Sequence, residues 1–379
     1  MEGQSALCTI ITKNYIAHAR TLVESFRECH PEIACYVLIV DEFEKYVAPA
    51  QEQFEVISLR ELELPKVKTL CFKYNVTELC TATKPFLLEH LLQKRGIQKL
   101  LYIDPDILVT ANLSELFVRL DSFDVVLTPH VETDYPDDGL QPDDSAVLQT
   151  GLFNLGFIGV RDSENTRKFL RWWKRKLQDK CVVHVQGGLF VDQKFMDLAS
   201  VLFENIYVEK GTGYNVAYWN LHSRKIRKSK GTWMCNDGPL YFFHFSGYQQ
   251  EDRESLTTHI PKREMRYRLT DLPELREMFS EYALRVESHG YAESRGWPYT
   301  FATFANGRAI PYVYRKLYRE YLEEMERYGD PFVSRALMRR LRLKRIVSKD
   351  TATARLIASV YRGVPGLTSL VRRLMRVPA

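Results

Sequence analysis

Apolar positions in the first third of the chain fall into short unbroken runs separated by stretches of helical periodicity. Residues 6–11, 34–40, 54–59, 99–103 and 124–128 are such runs, the pattern of strands buried on both faces of a parallel sheet. Between them, residues 16–27 form an amphipathic stretch, and 77–94 carry Leu79, Phe86, Leu87 and Leu91 at helical spacing before Gly96, a stop signal. Strand and helix alternate, so the expected fold class is α/β: a Rossmann-like, mostly parallel central sheet flanked by helices. Residues 151–160 predict one more strand, interrupted by Asn154, Gly156 and Gly159, where glycine marks a close approach of backbone or ligand. Residues 166–179 predict a basic helix, and beyond Phe245 the chain turns polar and then mainly helical, a C-terminal helical extension. The stretch 132–149 is the exception: Asp134, Asp137, Asp138, Asp143 and Asp144 alternate with Pro and Gly, which predicts a mobile acidic loop, a lid or acceptor wall.

Charge changes the picture at one end only. The net charge is +5 over 379 residues, but residues 331–379 hold twelve Lys/Arg against a single acid, Asp350. The body up to residue 330 is mildly acidic, with 41 basic and 47 acidic groups. In the last stretch Leu367, Leu370, Val371 and Leu374 share one helical face while Arg372, Arg373 and Arg376 fall away from it. That pattern fits an interfacial helix on an anionic membrane surface; the competing reading is a helix packed on the body or on a second subunit. No nucleic-acid-binding motif accompanies the charge, so nucleic acid is not an expected partner. Seven cysteines, an odd number without C-x-x-C spacing, fit a reducing compartment. No apolar run is long enough to span a bilayer and the N-terminus lacks a secretory pattern, so the expected location is the cytoplasm, with peripheral attachment to the inner face of the plasma membrane through the tail.

Candidate chemistry centres on Ile103-Asp104-Pro105-Asp106-Ile107. Two carboxylates one residue apart follow the strand 99–103, at the carboxyl end where open α/β sheets bind ligands. Pro105 removes one backbone torsion between them, and two hard oxygen ligands suit Mg²⁺ or Mn²⁺ shared with a diphosphate. Taken alone, such a pair is more often a solvated turn carrying two surface acids.

Further motifs follow in order: Thr12-Lys13-Asn14-Tyr15 after the first strand, Phe153-Asn154-Leu155-Gly156, Asp192-Gln193, Tyr214-Asn215, and His244-Phe245-Ser246-Gly247. In this order and spacing, over roughly residues 5–250, the chain resembles GT-A-fold nucleotide-sugar glycosyltransferases. The nearest likeness is to glycosyltransferase family 8, the glycogenin and bacterial lipopolysaccharide glycosyltransferase type. The resemblance implies a metal-dependent hexosyltransferase that takes a UDP-sugar donor and a glycan or lipid-linked acceptor, acting with retention in cell-surface polysaccharide biosynthesis. It implies Mn²⁺ at Asp104, Asp106 and His244, with Mg²⁺ as the alternative; an imidazole ligand favours Mn²⁺. Thr12, Asn14 and Tyr15 resemble positions that hold the uridine end. Asp41 is a nucleotide contact or a solvated acid at a strand end. Lys84 resembles a residue touching donor phosphate or sugar, or is an exposed helix lysine. Asn154 and Gly156 resemble the lining of the sugar pocket, and Gly247 a point where backbone nears phosphate. Asp192 and Gln193 resemble the pair closest to the reacting carbon.

The implied layout is a catalytic domain over 1–250, a helical extension over 251–330 on the acceptor side, and the basic tail 331–379. One departure stands out. The family's His-x-x-Gly is typically followed by a lysine that grips the diphosphate, whereas here Tyr248-Gln249-Gln250 follow and the next lysine is Lys262. Lys84, Lys210 or Lys262 would have to substitute. Two rival readings remain: a sugar-nucleotide nucleotidyltransferase, disfavoured because residues 9–15 contain no glycine for a phosphate loop, and a catalytically silent carbohydrate-binding or assembly module.

Overall fold

The computed structural model describes residues 4–347, so the amphipathic tail helix expected around residues 367–376 lies outside the described residues. Two compact units emerge, one of residues 1–64 and 78–299, the other of 65–77 and the C-terminal residues from 300 onward.

The first unit is built on a seven-stranded sheet. Its strands are β1 (Ser5–Ile11), β2 (Ala34–Ile39), β3 (Glu55–Ser58), β4 (Lys99–Ile103), β6 (Val125–Pro129), β7 (Phe153–Arg161) and Ile206–Val208; β5 (Ile107–Val109) lies outside it. The order is Ile206–Val208, β6, β7, β4, β1, β2, β3. All neighbouring pairs are parallel except those of β7, which runs antiparallel to both β4 and β6. The expected mostly parallel α/β sheet is present. Its strands are continuous apolar runs because both faces are covered: β2 and β4 are almost wholly buried along their lengths.

Helix α1 (Ile16–Cys29) covers one face with Ile16, Ala19, Leu22, Val23 and Phe26, which pack with Ile11, Ile39, Ile103 and Phe157 in one hydrophobic cluster. The next helices in chain order are α2 (Val67–Lys73, in the second unit), α3 (Val76–Lys94), α4 (Ser114–Ser122), α5 (Asp144–Thr150), α6 (Glu164–Lys180), α7 (Lys194–Leu202) and α8 (Pro273–Ser288). Gly96 follows α3 in the left-handed region, as a helix stop requires.

The acidic stretch 132–149 departs from the expected loop, because it contains α5. Asp143 caps that helix, its Oδ1 accepting from the Ala146 backbone N–H at 3.0 Å, and Asp144 sits in the first turn where the helix dipole favours an acid. Arg266 ties down the rest, donating to both carboxylate oxygens of Asp138 at 2.8 and 2.9 Å. Of the five acids that suggested a mobile loop, Asp143 is therefore a helix cap and Asp138 an arginine partner.

The second unit has its own apolar cluster, with Phe72, Phe304, Leu317, Tyr318, Met325, Leu337 and Leu341 buried. Arg315, buried among them, donates to the carbonyls of Cys71, Phe72 and Tyr74 at 3.0, 2.7 and 2.6 Å, satisfying the carbonyl groups that α2 leaves unpaired at its C-terminus. Among the described residues, no helix is long and apolar enough to cross a membrane.

Candidate active site

Two strand pairings build the centre of the site. In the β4–β7 register Ile103 faces Phe157, so the chain leaving β4 meets Gly156, and the Asp104 N–H donates to the Gly156 carbonyl at 2.8 Å. Past the turn, β5 pairs antiparallel with Phe242–His244, placing His244 opposite Ile107, and the Phe245 N–H donates to the Asp106 carbonyl at 2.8 Å. The Asp-Pro-Asp turn is thus clamped between two strands, and His244 is the last residue of its strand.

Asp104, Asp106 and His244 offer ligand atoms that all lie within 4.8 Å of one another. His244 Nε2 is 3.2 Å from Asp106 Oδ1 and 4.0 Å from Asp104 Oδ2; the imidazole is buried and the carboxylates are half-buried. Nε2 is the ring nitrogen that faces the acids, while His244 Nδ1 is buried without a hydrogen-bond partner. The ring can sit there because position 156 is glycine: a Cβ at that position would lie 2.4 Å from His244 Cε1 and 2.5 Å from Nδ1. Two hard oxygen donors and one imidazole nitrogen, with solvent access on the acid side, fit a divalent cation of the Mn²⁺ or Mg²⁺ type. Burial alone would raise the Asp106 carboxyl, but His244 beside it holds it below the usual range. Burial likewise would lower His244, while the Asp106 carboxylate raises it.

A second set of buried polar groups adjoins the first. Lys84, inside α3, is buried, not exposed; its Nζ lies 2.7 Å from Asp192 Oδ2 and donates to the Leu155 carbonyl at 2.7 Å. The same ammonium sits 4.2 Å from the centroid of the Tyr102 ring, and the Tyr102 hydroxyl donates to Asp104 Oδ1 at 2.6 Å. Asp192, Lys84, Tyr102 and Asp104 therefore form one continuous contact chain. Burial raises the Asp192 carboxyl above its usual value, and Lys84 offsets part of that rise. Gln193, just ahead of α7, donates from Nε2 to the Thr150 carbonyl at 3.0 Å. Asn154 Oδ1 accepts from the Gly156 N–H and from Asn215 Nδ2, both at 3.0 Å, which joins the Tyr-Asn motif to the same cluster.

The candidate nucleotide residues lie at the C-terminal ends of β1 and β2, neighbours in the sheet. Thr12 donates to Asn14 Oδ1 at 2.6 Å, and Tyr15 is exposed with its ring stacked on His18 at 4.5 Å between centroids. Asp41 is not a solvated acid: it is buried and paired with Lys13 at 2.9 Å. Gly247 lies in the left-handed region (φ 72°), where a Cβ would meet Thr257 Oγ1 at 2.4 Å and His259 Cδ2 at 2.7 Å, so backbone shape and packing by the 257–259 segment both require glycine. Of the lysines that could substitute for the missing diphosphate grip, Lys84 is committed to Asp192, Lys262 pairs with Asp252 at 2.9 Å on the surface, and Lys210 is exposed.

Sequence reasoning passes over Lys13 and Tyr102. Lys13 stands inside one of the motifs, but a lysine at a strand end reads as solvent-exposed. Tyr102 reads as one more apolar position of β4. Its hydroxyl reaches the acid two residues on, a cue that spacing alone could have given, since i and i+2 share a strand face.

No family model matches the sequence. Two Bacillus subtilis (strain 168) proteins, both described only as uncharacterized, are similar to the chain. YfnF is 27% identical over 292 residues, covering 75% of this chain and 93% of its own. YfnD is 23% identical over 292 residues, covering 74% and 88%. Among solved structures, the galactosyltransferase LgtC in complex with donor and acceptor sugar analogs is 17% identical, with 73% of this chain and 95% of that one covered and a TM-score of 0.43. The glycosyltransferase GlyE of Streptococcus pneumoniae TIGR4 is 15% identical, with 80% and 67% covered and a TM-score of 0.44. These neighbours are glycosyltransferases, the class that the sequence motifs resemble. The sheet order and registers, not the overlaps, carry the fold.

Proposed function

We propose that this chain is a metal-dependent glycosyltransferase that moves a hexosyl unit from a UDP-sugar to a glycan or lipid-linked acceptor. The observation that carries the reading is the convergence of Asp104, Asp106 and His244, separated by up to 140 residues in the sequence, at the carboxyl end of a mostly parallel sheet. A divalent ion held by these three groups, Mn²⁺ by donor type, would supply charge neutralisation for the departing diphosphate.

The chain's own residues have separable tasks in this reading. Thr12, Asn14 and Tyr15 receive the nucleoside, with the Lys13–Asp41 pair holding the strand ends that present them. Asn154 and Gly156 line the sugar side. Lys84 holds Asp192, and Asp192 with Gln193 orients the hexosyl ring and stabilises positive charge developing at its anomeric carbon. The anomeric carbon–phosphate oxygen bond breaks, the acceptor oxygen bonds to the same face of that carbon, and the acceptor proton passes to the departing phosphate oxygen. That route gives retention without a separate catalytic base. The biological setting that fits is cell-surface polysaccharide assembly at the inner face of the plasma membrane, with the basic tail as the attachment element.

Thermal unfolding with UDP-, GDP-, ADP- and dTDP-sugars, each with and without Mn²⁺, tests the proposal, because a ligand that binds only the folded state raises its stability. A shift specific to UDP compounds and dependent on Mn²⁺ is expected. No shift with any nucleotide sugar in the presence of Mn²⁺ would refute the reading.

A further inference from the structure

A groove of about 500 Å³ in the second unit is lined by Arg308, Arg335, Arg339 and Arg342 over a floor that includes Phe304 and Tyr314. Three of these arginines, Arg335, Arg339 and Arg342, recur at i, i+4 and i+7 of the helix Arg335–Val347, so they share one face. All four are exposed, and none has an acidic partner among the described residues.

The unpaired charge is selective. On another face of the same helix Arg340 pairs with Glu324 at 2.5 Å and Lys344 with the same carboxylate at 2.9 Å. Nearby, Lys66 pairs with Glu326 at 2.7 Å and Lys68 with Asp330 at 2.5 Å. The groove guanidinium groups have no such acidic partner among the described residues. The segment 348–379 cannot supply the missing acids: it carries six Lys/Arg and a single acid, Asp350.

We propose that this groove is a binding site for a phosphate-bearing ligand with more than one anionic group beside an apolar or ring face. The three helical arginines extend along roughly 10 Å of helix axis, longer than one phosphate needs. Arginine forks match phosphate oxygens in pairs, and weak hydration of guanidinium makes it the cation suited to a half-enclosed site. Tyr314, half-buried and backed by the buried Phe304, gives the uncharged part of the ligand a ring to lie on, and the volume is that of a small-molecule site. A soluble phosphorylated compound and a lipid headgroup share this chemistry. The inference does not depend on the glycosyltransferase reading.

The test uses the full chain in EDTA, which removes metal-dependent binding elsewhere, and two probes. One is inorganic pyrophosphate, followed by calorimetry. The other is phosphatidylcholine vesicles with and without phosphatidylglycerol, followed by co-sedimentation. Arg339→Glu/Arg342→Glu should weaken binding to at least one probe by about tenfold or more, the loss of one charge-assisted contact or two. Arg253→Glu/Arg263→Glu, an equal charge change at exposed positions outside the groove, should leave it within about twofold. Matching thermal midpoints would exclude a folding defect, and the milder Arg308→Gln/Arg335→Gln should show an intermediate loss. Groove-dependent binding of pyrophosphate alone identifies a soluble phosphate ligand; of anionic vesicles alone, a lipid headgroup. Equal losses in the groove and control variants, or no binding of either probe by the unmodified chain, would overturn the proposal.

Discussion

Lys84 and Asp192 pair at 2.7 Å with both side chains almost wholly out of solvent, one from the middle of α3 and the other from the turn before α7. Neither charge is tolerable there without the other. The pair also sets the position of the acid, because the ammonium is fixed independently by the Leu155 carbonyl and the Tyr102 ring. Lys84→Met should therefore cost about 3–5 kcal/mol, as should Asp192→Leu, since each leaves one uncompensated buried charge. The double variant should lose much less than the sum. Urea denaturation of the three variants measures this, and simple additivity would show that the pair is not coupled.

Gly156 is where the sheet and the candidate metal site meet. A methyl group there cannot coexist with the His244 ring in its present place, the nearest approach being 2.4 Å. Gly156→Ala should displace the imidazole and lower Mn²⁺ affinity by about tenfold or more, a size typical of losing ligand orientation. Electron paramagnetic resonance of free Mn²⁺ during titration reads the affinity directly, without any assay of turnover. Unchanged affinity would mean that His244 is not a ligand.

The Asp106–His244 pair gives the metal-free protein a defined pH response. Its carboxylate is held below the usual 3.8 and its imidazole above the usual 6.5. A raised imidazole stabilises the fold fully below 6.5 and loses that contribution as pH rises through the folded value; a depressed carboxyl contributes above 3.8 and loses it as pH falls through its folded value. The pair is therefore most stabilising between these limits when no metal is bound. Binding a cation must expel the imidazole proton, so Mn²⁺ should raise the thermal midpoint more at pH 8 than at about pH 6. His244→Gln should flatten both dependences. Calorimetric scans in EDTA and in Mn²⁺ across that range decide it.

Much of this was legible because buried parallel strands announce themselves as apolar runs. Residues 99–103 gave β4 to the residue, and residues 6–11 and 34–40 gave β1 and β2 to within one position. The Asp-Pro-Asp turn and His244 were found through motif order, and strand pairing explains why that order works: β5 and Phe242–His244 are partners across more than 130 intervening residues. Burial of charge was not legible. Nothing in residues 83–86 tells a buried lysine from an exposed one, since the difference lies in Asp192, over 100 positions away. Lys13 and Asp41 were hidden for the same reason. The acidic stretch misled because composition speaks for a loop while Asp143, placed before Asp144-Ser145-Ala146, is a helix cap.

Gln193 separates a catalytic role from a binding one. Its amide nitrogen is anchored to the Thr150 carbonyl at the end of α5, so in the proposed mechanism the side-chain oxygen is the group that would act on the sugar. An oxygen that stabilises positive charge on the sugar acts more strongly in the transition state than in the bound donor. Gln193→Ala should therefore lower kcat by about 100-fold or more while changing the UDP-sugar Kd by less than about threefold, the signature of an interaction made late in the reaction. Gln193→Glu keeps the shape, adds a charge and loses the donor to Thr150, so its donor affinity should suffer more than that of the alanine variant. Steady-state rates with one saturating acceptor, alongside calorimetric donor binding, separate the outcomes. If kcat and affinity fall together in Gln193→Ala, the residue only lines the pocket.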